Sequence, residues 1–239
     1  MKRKILRTLL ITLLVLLFIP LSYVYGCYKD AQTLMEETPI KEKVESYTSE
    51  ESYVAYEDIN EYFVNAVVAT EDKRFFTRKG FDWIALIRAV VANTVSGERR
   101  EGGSTLSQQI AKNLYFVGTT RGIHEKVEEV FIMLELEKSY SKKDLFALYA
   151  NMNYYGDGYY GINEASYGYY EEDELNLSLA KCAILAGIPN APSLLQLSSG
   201  YDRAKQRQEK VLSRMLDEKY ITLNEYQEAI IEDVHPVEK

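Results

Sequence analysis

The chain of 239 residues is poor in cysteine and histidine, and it lacks long runs of alternating apolar and polar residues. The two cysteines, Cys27 and Cys182, give no basis for a disulfide framework, and Cys182 lies in an apolar stretch that predicts a buried thiol. His124 and His235 have no neighbours in the pattern of a metal site or a catalytic triad. Because apolar residues recur at helical rather than period-two spacing, the sequence predicts a mainly α fold.

Acidic residues outnumber basic ones beyond the N-terminus, 36 against 24. Lys2, Arg3, Lys4 and Arg7 precede Gly26 and no acidic residue does, so the remainder carries a formal charge of about −12, against −8 for the whole chain. Such a surface disfavours nucleic acid as a partner. An anionic substrate would have to be held by a local cluster of cations.

An uncharged apolar run over residues 8–25 follows these N-terminal cations. Its length is about that of a bilayer's hydrocarbon core, and the positive-inside rule then puts the rest of the chain outside the cytoplasm. We therefore predict a single-pass cell-membrane protein in which residues 1–26 are a cytoplasmic tip and transmembrane signal-anchor. A cleaved signal peptide is the first alternative, but no small-residue cleavage site follows. A lipoprotein signal at Cys27 is the second, but the bulky Tyr25 precedes it.

Residues 27–56 are polar, acidic and without a clear period, which predicts a structureless tether, and residues 57–239 form the predicted catalytic domain. Helical patterns cover residues 59–70, 82–95, 105–114, 124–137, 141–152, 161–170, 178–187, 202–219 and 223–232. Thr105 and Ser141 have the spacing of helix N-caps. In the segment 124–137, the predicted buried face consists of Val127, Val130, Phe131 and Leu134.

Two polar motifs accompany these helices. Glu71 and Asp72 end an apolar helix, and a Gly-Gly pair at 102–103 precedes the capped helix that carries Gln108 and Lys112 on one face. Glycines before a helix N-terminus let backbone N–H groups approach an anion closely. The second motif therefore suits a phosphate or a sugar, with a well-capped surface helix as an equal alternative.

Together, these segments resemble the peptidoglycan glycosyltransferase family, which occurs alone or as the first domain of class A penicillin-binding proteins. The matching segments are residues 71–80, 103–113, 121–137, 148–162 and 185–193, in family order. The resemblance implies a lysozyme-like, two-lobed glycosyltransferase domain behind an N-terminal transmembrane helix. A monofunctional member is expected, because the chain ends near Lys239 and its Ser-x-x-Lys matches lack an accompanying Ser-x-Asn or Lys-Thr-Gly.

The resemblance implies polymerisation of lipid II, in which a glycan on undecaprenyl pyrophosphate is transferred with inversion to the 4-hydroxyl of lipid II. Glu71 is the implied general base, and Glu129 is the second catalytic residue, which would orient Lys126 or hold the donor site. The implied substrate-binding residues are Asp72, Phe75, Ser104, Thr105, Gln108, Gln109, Lys112, Asn113, Arg121 and Lys126. For Phe75 and Tyr155, core packing is the favoured interpretation.

The leaving pyrophosphate calls for cations, which the resemblance assigns to Lys112, Arg121 and Lys126, with Mg²⁺ or Mn²⁺ as a candidate divalent ion. The sequence itself leaves the metal ligands unknown. Glu137 is interpreted as a structural ion-pair partner. A lysozyme-like hydrolase is disfavoured because it would not need the three cations.

Three positions depart from the family pattern. Arg78 stands where histidine is usual, Glu125 where arginine is usual, and Ser107 where threonine is common. Glu125 puts a negative charge beside Lys126, which would weaken the hold on pyrophosphate. The alternative function is therefore a catalytically weak or inactive scaffold that binds other cell-wall synthesis proteins.

Overall fold

The computed structural model describes residues 2–78, 104–119 and 122–237, with side chains from residue 18 onward. The helices are α1 (Lys2–Glu37), α2 (Ile40–Thr48), α3 (Glu61–Glu71), α4 (Leu106–Tyr115), α5 (Ile123–Ser139), α6 (Lys142–Met152), α7 (Gly161–Tyr170), α8 (Leu179–Gly187), α9 (Pro192–Leu195), α10 (Leu197–Asp217) and α11 (Leu223–Ile231). Within these ranges there is no strand, only an isolated bridge between Tyr154 and Tyr160. The predicted mainly α class is confirmed. The helix predicted over 82–95, the glycine pair at 102–103 and Arg121 lie outside the described residues.

Reciprocal hydrogen bonds explain where α4 and α6 begin. Thr105 Oγ1 accepts the N–H of Gln108 at 3.2 Å, and Gln108 Oε1 accepts the N–H of Thr105 at 3.0 Å. Ser141 and Asp144 make the same pair of bonds at 3.2 and 3.0 Å. Each pair satisfies backbone donors that a helix start would otherwise leave without partners. Both predicted N-caps are confirmed.

Helix α8 is the centre of one group of helices, in which it packs against α3, α10 and α11. Every residue of α8 except Lys181 is buried, and Cys182 is buried as predicted. At the end of α8, a Cβ on Gly187 would lie 2.7 Å from Arg207 Cγ of α10. Glycine at this position therefore makes room for the stem of Arg207.

Helix α6 is the centre of a second group, in which it packs against α2, α4 and α7. Residues 145–150 of α6 are all buried. Aromatic rings join the two groups, because the ring of Phe63 in α3 lies 6.3 Å from that of Phe146 in α6 and 6.5 Å from that of Tyr155. Tyr155 has no exposed surface, so its assignment to the core is confirmed.

The predicted structureless tether over 27–56 is wrong. Helix α1 continues to Glu37 and packs along α5, and α2 follows and packs on α6. Cys27 and Ala31 are buried in α1, and Ile40 and Val44 are buried in α2. The members of each pair are four residues apart, on one helical face. Residues 27–56 contain few apolar residues among many charged ones, so the helical period is hard to detect in the sequence.

No helix in the described part of the chain combines the length and hydrophobicity that a bilayer span requires. The apolar run over 8–25 falls within α1, but the side chains of residues 2–17 are outside the description. The signal-anchor over 1–26 therefore stays a prediction.

The buried face of α5 also differs from the prediction. Leu134 is exposed, and the other three residues of the predicted face are only half-buried. The buried residues are Glu128, Glu129, Ile132, Met133 and Leu136. Helix α5 packs against α1 on one side and α4 on another, so two of its faces are covered. One hydrophobic stripe cannot describe a helix that is packed on two sides.

Asn151 of α6 holds the segment that precedes α3. Its Oδ1 accepts the N–H of Val54 at 2.9 Å, and its Nδ2 donates to the carbonyls of Val54 and Ala147, each at 2.8 Å. Val54 is buried, so its backbone groups depend on this amide for hydrogen bonds. The amide therefore anchors the entry into the helix that ends at Glu71.

Replacing Asn151 with alanine should lower the free energy of unfolding by about 2–3 kcal/mol, because two buried backbone groups lose their partner. Urea denaturation followed by circular dichroism measures this change. The matched control is Asn224→Ala on the exposed side of α11, which should change stability by less than about 0.5 kcal/mol. Equal effects of the two substitutions would contradict the assignment.

Candidate active site

Glu71 is the last residue of α3, and its carboxylate lies where α3, α4 and α10 meet. Arg207 Nη2 of α10 donates to Glu71 Oε1 at 3.0 Å, and Gln109 Nε2 of α4 donates to Oε2 at 3.1 Å. The side chain of Glu71 keeps 18% of its surface exposed. A carboxylate has about four acceptor positions, so these two bonds orient it and leave capacity for a proton.

Arg207 is the residue of this site that sequence reasoning missed. It lies 136 positions after Glu71 in the chain. It belongs to α10, a long amphipathic helix, where an arginine does not stand out in the sequence. The only sequence signal is indirect, namely the glycine at 187 that makes room for its side chain. Its Nε is buried and has no hydrogen-bond partner among the described residues. The guanidinium therefore keeps one donor for a further acceptor.

The turn after Glu71 is held by a buried arginine. Arg78 donates to Asp72 Oδ2 from Nη2 at 3.0 Å and to Glu137 Oε1 from Nη1 at 2.6 Å. Asp72 Oδ2 also accepts the backbone N–H of Leu106 at 3.3 Å. Although burial lowers the pKa of Arg78, its two carboxylate partners outweigh burial and raise it. Arg78, the departure from the family's histidine, therefore ties the turn to the start of α4 and to α5.

Glu137 receives two further polar partners. Ser107 Oγ donates to its Oε1 at 2.5 Å, and Lys142 Nζ lies 2.6 Å from the same oxygen. Burial would raise the pKa of Glu137, but Lys142, Ser107 and Arg78 outweigh it and hold that pKa below its usual value. The interpretation of Glu137 as an ion-pair partner is confirmed. We call Asp72, Arg78, Ser107, Glu137 and Lys142 the buried charge network.

Phe75 lies beneath the two cations of this network. Lys142 Nζ is 4.9 Å from the centre of its ring and Arg78 Cζ is 5.9 Å from it. The ring has no exposed surface, so core packing is confirmed for Phe75. Its inclusion among the substrate-binding residues has to be corrected, because a fully buried ring offers no surface to a substrate.

Protein side chains accept several backbone N–H groups at the start of α4. The N–H groups of Thr105, Leu106 and Gln108 are taken by the side chains of Gln108, Asp72 and Thr105. Thr105 and Gln108 are buried, so the helical face that Gln108 shares with Lys112 is covered by protein at Gln108. Two of these N–H groups serve the cap, and the third joins α4 to Asp72. Asn113, further along α4, donates to Asn153 Oδ1 at 3.1 Å and ties α4 to the loop after α6.

Lys126 and Glu129 form a second polar cluster, at the first turns of α5. Lys126 Nζ lies 2.5 Å from Glu129 Oε2 and donates to Ser104 Oγ at 3.0 Å. The lysine side chain is 46% exposed, whereas that of Glu129 is fully buried. Glu129 therefore holds a cation at the surface. Ser104, which contacts Lys126, is close in the chain to Gln109, which contacts Glu71.

Glu125 caps the N-terminus of α5. Its Oε2 accepts the N–H of Gly122 at 2.6 Å. Hydrogen bonds from its own backbone N–H and from that of Gly122 lower the pKa of Glu125. The negative charge that departs from the family pattern is therefore present at neutral pH, one residue before Lys126.

The sequence shows no metal-site or triad pattern around His124, but in the structure two acidic side chains lie beside it. Its Nε2 lies 3.1 Å from Asp30 Oδ2 and 3.4 Å from Glu128 Oε1. Glu128 is four residues further along α5, but Asp30 is distant in sequence and comes close only because α1 packs along α5. Within the described residues, this is the one group of three histidine, cysteine or acidic side chains close enough to share a metal ion.

Comparison with known proteins gives one family match, to the model described as Transglycosylase, over residues 36–216. The chain is 40% identical over 178 residues to penicillin-binding protein 1A of Aquifex aeolicus, covering 74% of this chain and 24% of that protein. It is 39% identical over 180 residues to penicillin-binding protein 1A of Vibrio cholerae, covering 75% of this chain and 22% of that protein. The chain thus spans about a quarter of the length of these relatives.

Among solved structures, the chain is similar to penicillin-binding protein 1A from Haemophilus influenzae. The TM-score is 0.48 at 24% sequence identity, and the match covers 77% of this chain and 18% of that one.

Substituting Arg78 with alanine should lower the free energy of unfolding by about 3–5 kcal/mol, because two buried carboxylates lose their shared cation. The control is Lys143→Ala, which breaks the exposed pair with Glu57 and should cost less than about 1 kcal/mol. Denaturant titration of both variants gives the comparison. If Arg78→Ala lowers the free energy of unfolding no more than Lys143→Ala does, the buried charge network does not stabilise the fold as proposed.

Proposed function

Since the chain belongs to the transglycosylase family, we propose that it is a peptidoglycan glycosyltransferase that polymerises lipid II and releases undecaprenyl pyrophosphate. The observation that carries the proposal is the environment of Glu71. Its carboxylate is partly exposed and is held by Arg207 and Gln109 at the meeting point of three helices. A surface cation, Lys126, is held by the buried carboxylate of Glu129 and donates to Ser104, just before the start of α4.

In the proposed reaction, the 4-hydroxyl of lipid II attacks C1 of the sugar that links the growing glycan to undecaprenyl pyrophosphate. The new C–O bond forms as the bond from C1 to the pyrophosphate oxygen breaks, which inverts C1. A sugar hydroxyl is a poor nucleophile, so a base must take its proton as the bond forms. Glu71 takes that proton, while Arg207 and Gln109 keep its carboxylate aimed.

The departing pyrophosphate is a stable anion, so it needs cations more than an acid. Lys126 is suited to this role because nearly half of its side chain is exposed while Glu129 fixes its ammonium group. Lys112 of α4 and Arg121, which is outside the described residues, complete the proposed set of cations. Glu129 thus acts through Lys126 in this scheme.

A divalent ion, Mg²⁺ or Mn²⁺, remains an additional candidate for the pyrophosphate. Mg²⁺ is usually held by one or two protein carboxylates together with substrate phosphates. Glu129 is the carboxylate beside the proposed cations, but its Oε2 is already engaged by Lys126. Around Glu71 and Glu129, the described residues form no ready-made group of three ligands, so no step is assigned to a metal.

We further propose that residues 1–26 anchor the protein in the cell membrane with the catalytic domain on the extracytoplasmic side. The support is the N-terminal cationic segment followed by the apolar run over 8–25. Lipid II and the undecaprenyl-linked glycan both have lipid tails, so an enzyme acting on them gains from being held at the membrane. Other cell-wall synthesis proteins are proposed as further partners.

The decisive variant is Glu71→Gln, which keeps the size of the side chain but removes the base. It should reduce polymerisation of lipid II by at least about 100-fold, the lower end of what general-base catalysis contributes. Full-length protein in detergent is incubated with lipid II, and glycan strands are separated on a gel. Glu209→Gln, an exposed glutamate two residues from Arg207 on α10, should polymerise at the wild-type rate.

Two results would count against this proposal in different ways. If Glu71→Gln stays active, the assigned base is wrong. If the wild type makes no strands under conditions where a control glycosyltransferase does, the scaffold function is favoured instead.

The charge of Glu125 should restrain activity. Removing it raises the local potential at Lys126, so Glu125→Gln, which still accepts the N–H of Gly122, should raise polymerisation by up to about fivefold at low salt. Glu125→Arg should raise it further if the loss of the cap is tolerated. Both gains should shrink at high ionic strength, because the site is exposed and screened. An unchanged rate for both variants at low salt would contradict this role.

A further inference from the structure

The contact between α1 and α5 brings together four side chains that the proposed reaction does not use. Cys27 and Asp30 lie three residues apart on α1, and His124 and Glu128 lie four residues apart on α5. These spacings put each pair on one face of its helix. The two faces meet because α1 packs along α5. The result is a group of metal-ligand side chains contributed by both helices.

The distances in this group agree with those around a metal ion. Zn²⁺ binds nitrogen and oxygen ligands at about 2.0–2.2 Å, so neighbouring ligands of a tetrahedral ion are about 3.3–3.6 Å apart. His124 Nε2 is 3.1 Å from Asp30 Oδ2 and 3.4 Å from Glu128 Oε1. One ligand atom from each of the three residues lies within 4.8 Å of the other two. One ion can therefore reach all three with small side-chain adjustments.

The fourth side chain orients the imidazole. Cys27 Sγ lies 3.4 Å from His124 Nδ1, on the ring edge opposite the two carboxylates. A thiol sulfur is a weak acceptor, so Nδ1 can carry its proton toward Cys27. That tautomer leaves the lone pair of Nε2 directed at Asp30 and Glu128. Metal-bound histidines commonly donate their other N–H to a neighbouring acceptor, most often a carboxylate, a backbone carbonyl or water.

The charge of the group also calls for a cation. Two carboxylates face one imidazole, which supplies at most one positive charge, and the side chain of Glu128 is only 7% exposed. No lysine or arginine in the described ranges forms an ion pair with Asp30 or Glu128. A divalent ion would neutralise both acids at once.

We propose that Asp30, His124 and Glu128 bind a divalent transition metal of the Zn²⁺ class, with water completing its coordination. The imidazole favours such an ion over Mg²⁺ or Ca²⁺, which prefer all-oxygen sites. The metal joins the part of α1 that follows the predicted anchor to α5, the helix that carries Lys126 and Glu129. It thereby fixes the position of α5 relative to α1. This site is separate in its ligands from the proposed catalytic groups.

The test uses full-length protein without a histidine tag, in detergent and freed of metal with a chelator. Co²⁺, which absorbs visible light when bound by protein ligands, is titrated in the presence of excess Mg²⁺. We expect saturation at one equivalent of Co²⁺ and its displacement by Zn²⁺. His124→Ala should weaken Co²⁺ binding by at least about 100-fold, beyond the 10- to 100-fold typical of residues outside the ligand set.

Asp30→Asn is the variant that separates binding from folding. Asp30 is 58% exposed, so removing its charge leaves the core intact while removing one ligand, and Co²⁺ binding should again weaken. The matched controls are His235→Ala and Glu135→Gln. Both side chains are exposed and lie outside the group, so both variants should bind Co²⁺ like the wild type. The proposal is overturned if the wild type binds no Co²⁺, or if His124→Ala and Asp30→Asn bind it as tightly as the controls do. Because the readout is metal binding, this result is independent of whether the protein polymerises lipid II.

Discussion

The arrangement of the candidate site depends on the buried charge network around Arg78. This guanidinium is nearly inaccessible to solvent, as are its partners Asp72 and Glu137. Burying these charges is costly, and their mutual attraction repays the cost only when the geometry is good and the remaining polar atoms are satisfied. Here Asp72 immediately follows Glu71 in the chain. By holding Asp72, the network therefore fixes the backbone next to the candidate base, Glu71, at the end of α3.

Helix α4 transmits this constraint to the rest of the site. In its first turn, the N–H of Leu106 donates to Asp72 and the hydroxyl of Ser107 donates to Glu137. A few residues on, Gln109 reaches Glu71, and just before the helix Ser104 reaches Lys126. Several polar groups at the start of α4 thus hydrogen-bond to residues of the neighbouring helices and hold them in place. These contacts join α4 to α3 and α5, while the anion site predicted at the glycine pair 102–103 stays a prediction.

Helix α5 carries polar groups on more than one face, and each face has a separate partner. Glu129 and Lys126 face the start of α4, whereas His124 and Glu128 face α1, and Glu137 near the helix end joins the buried charge network. A helix used in this way has no single apolar stripe. The proposed metal and the buried charge network would act at opposite ends of the same helix, and both would resist its displacement.

The sequence alone determined the helical class, the two N-caps at Thr105 and Ser141, and the position of Glu71 at a helix end, because these features depend on neighbours within one or two turns. Only the tertiary structure decided that Arg207 pairs with Glu71 and that Asp30 meets His124. It also decided that residues 27–37 and 40–48 pack as helices. Such contacts join residues far apart in the chain, and the free energy that selects them comes from packing whole helices together, which no local pattern of residues records.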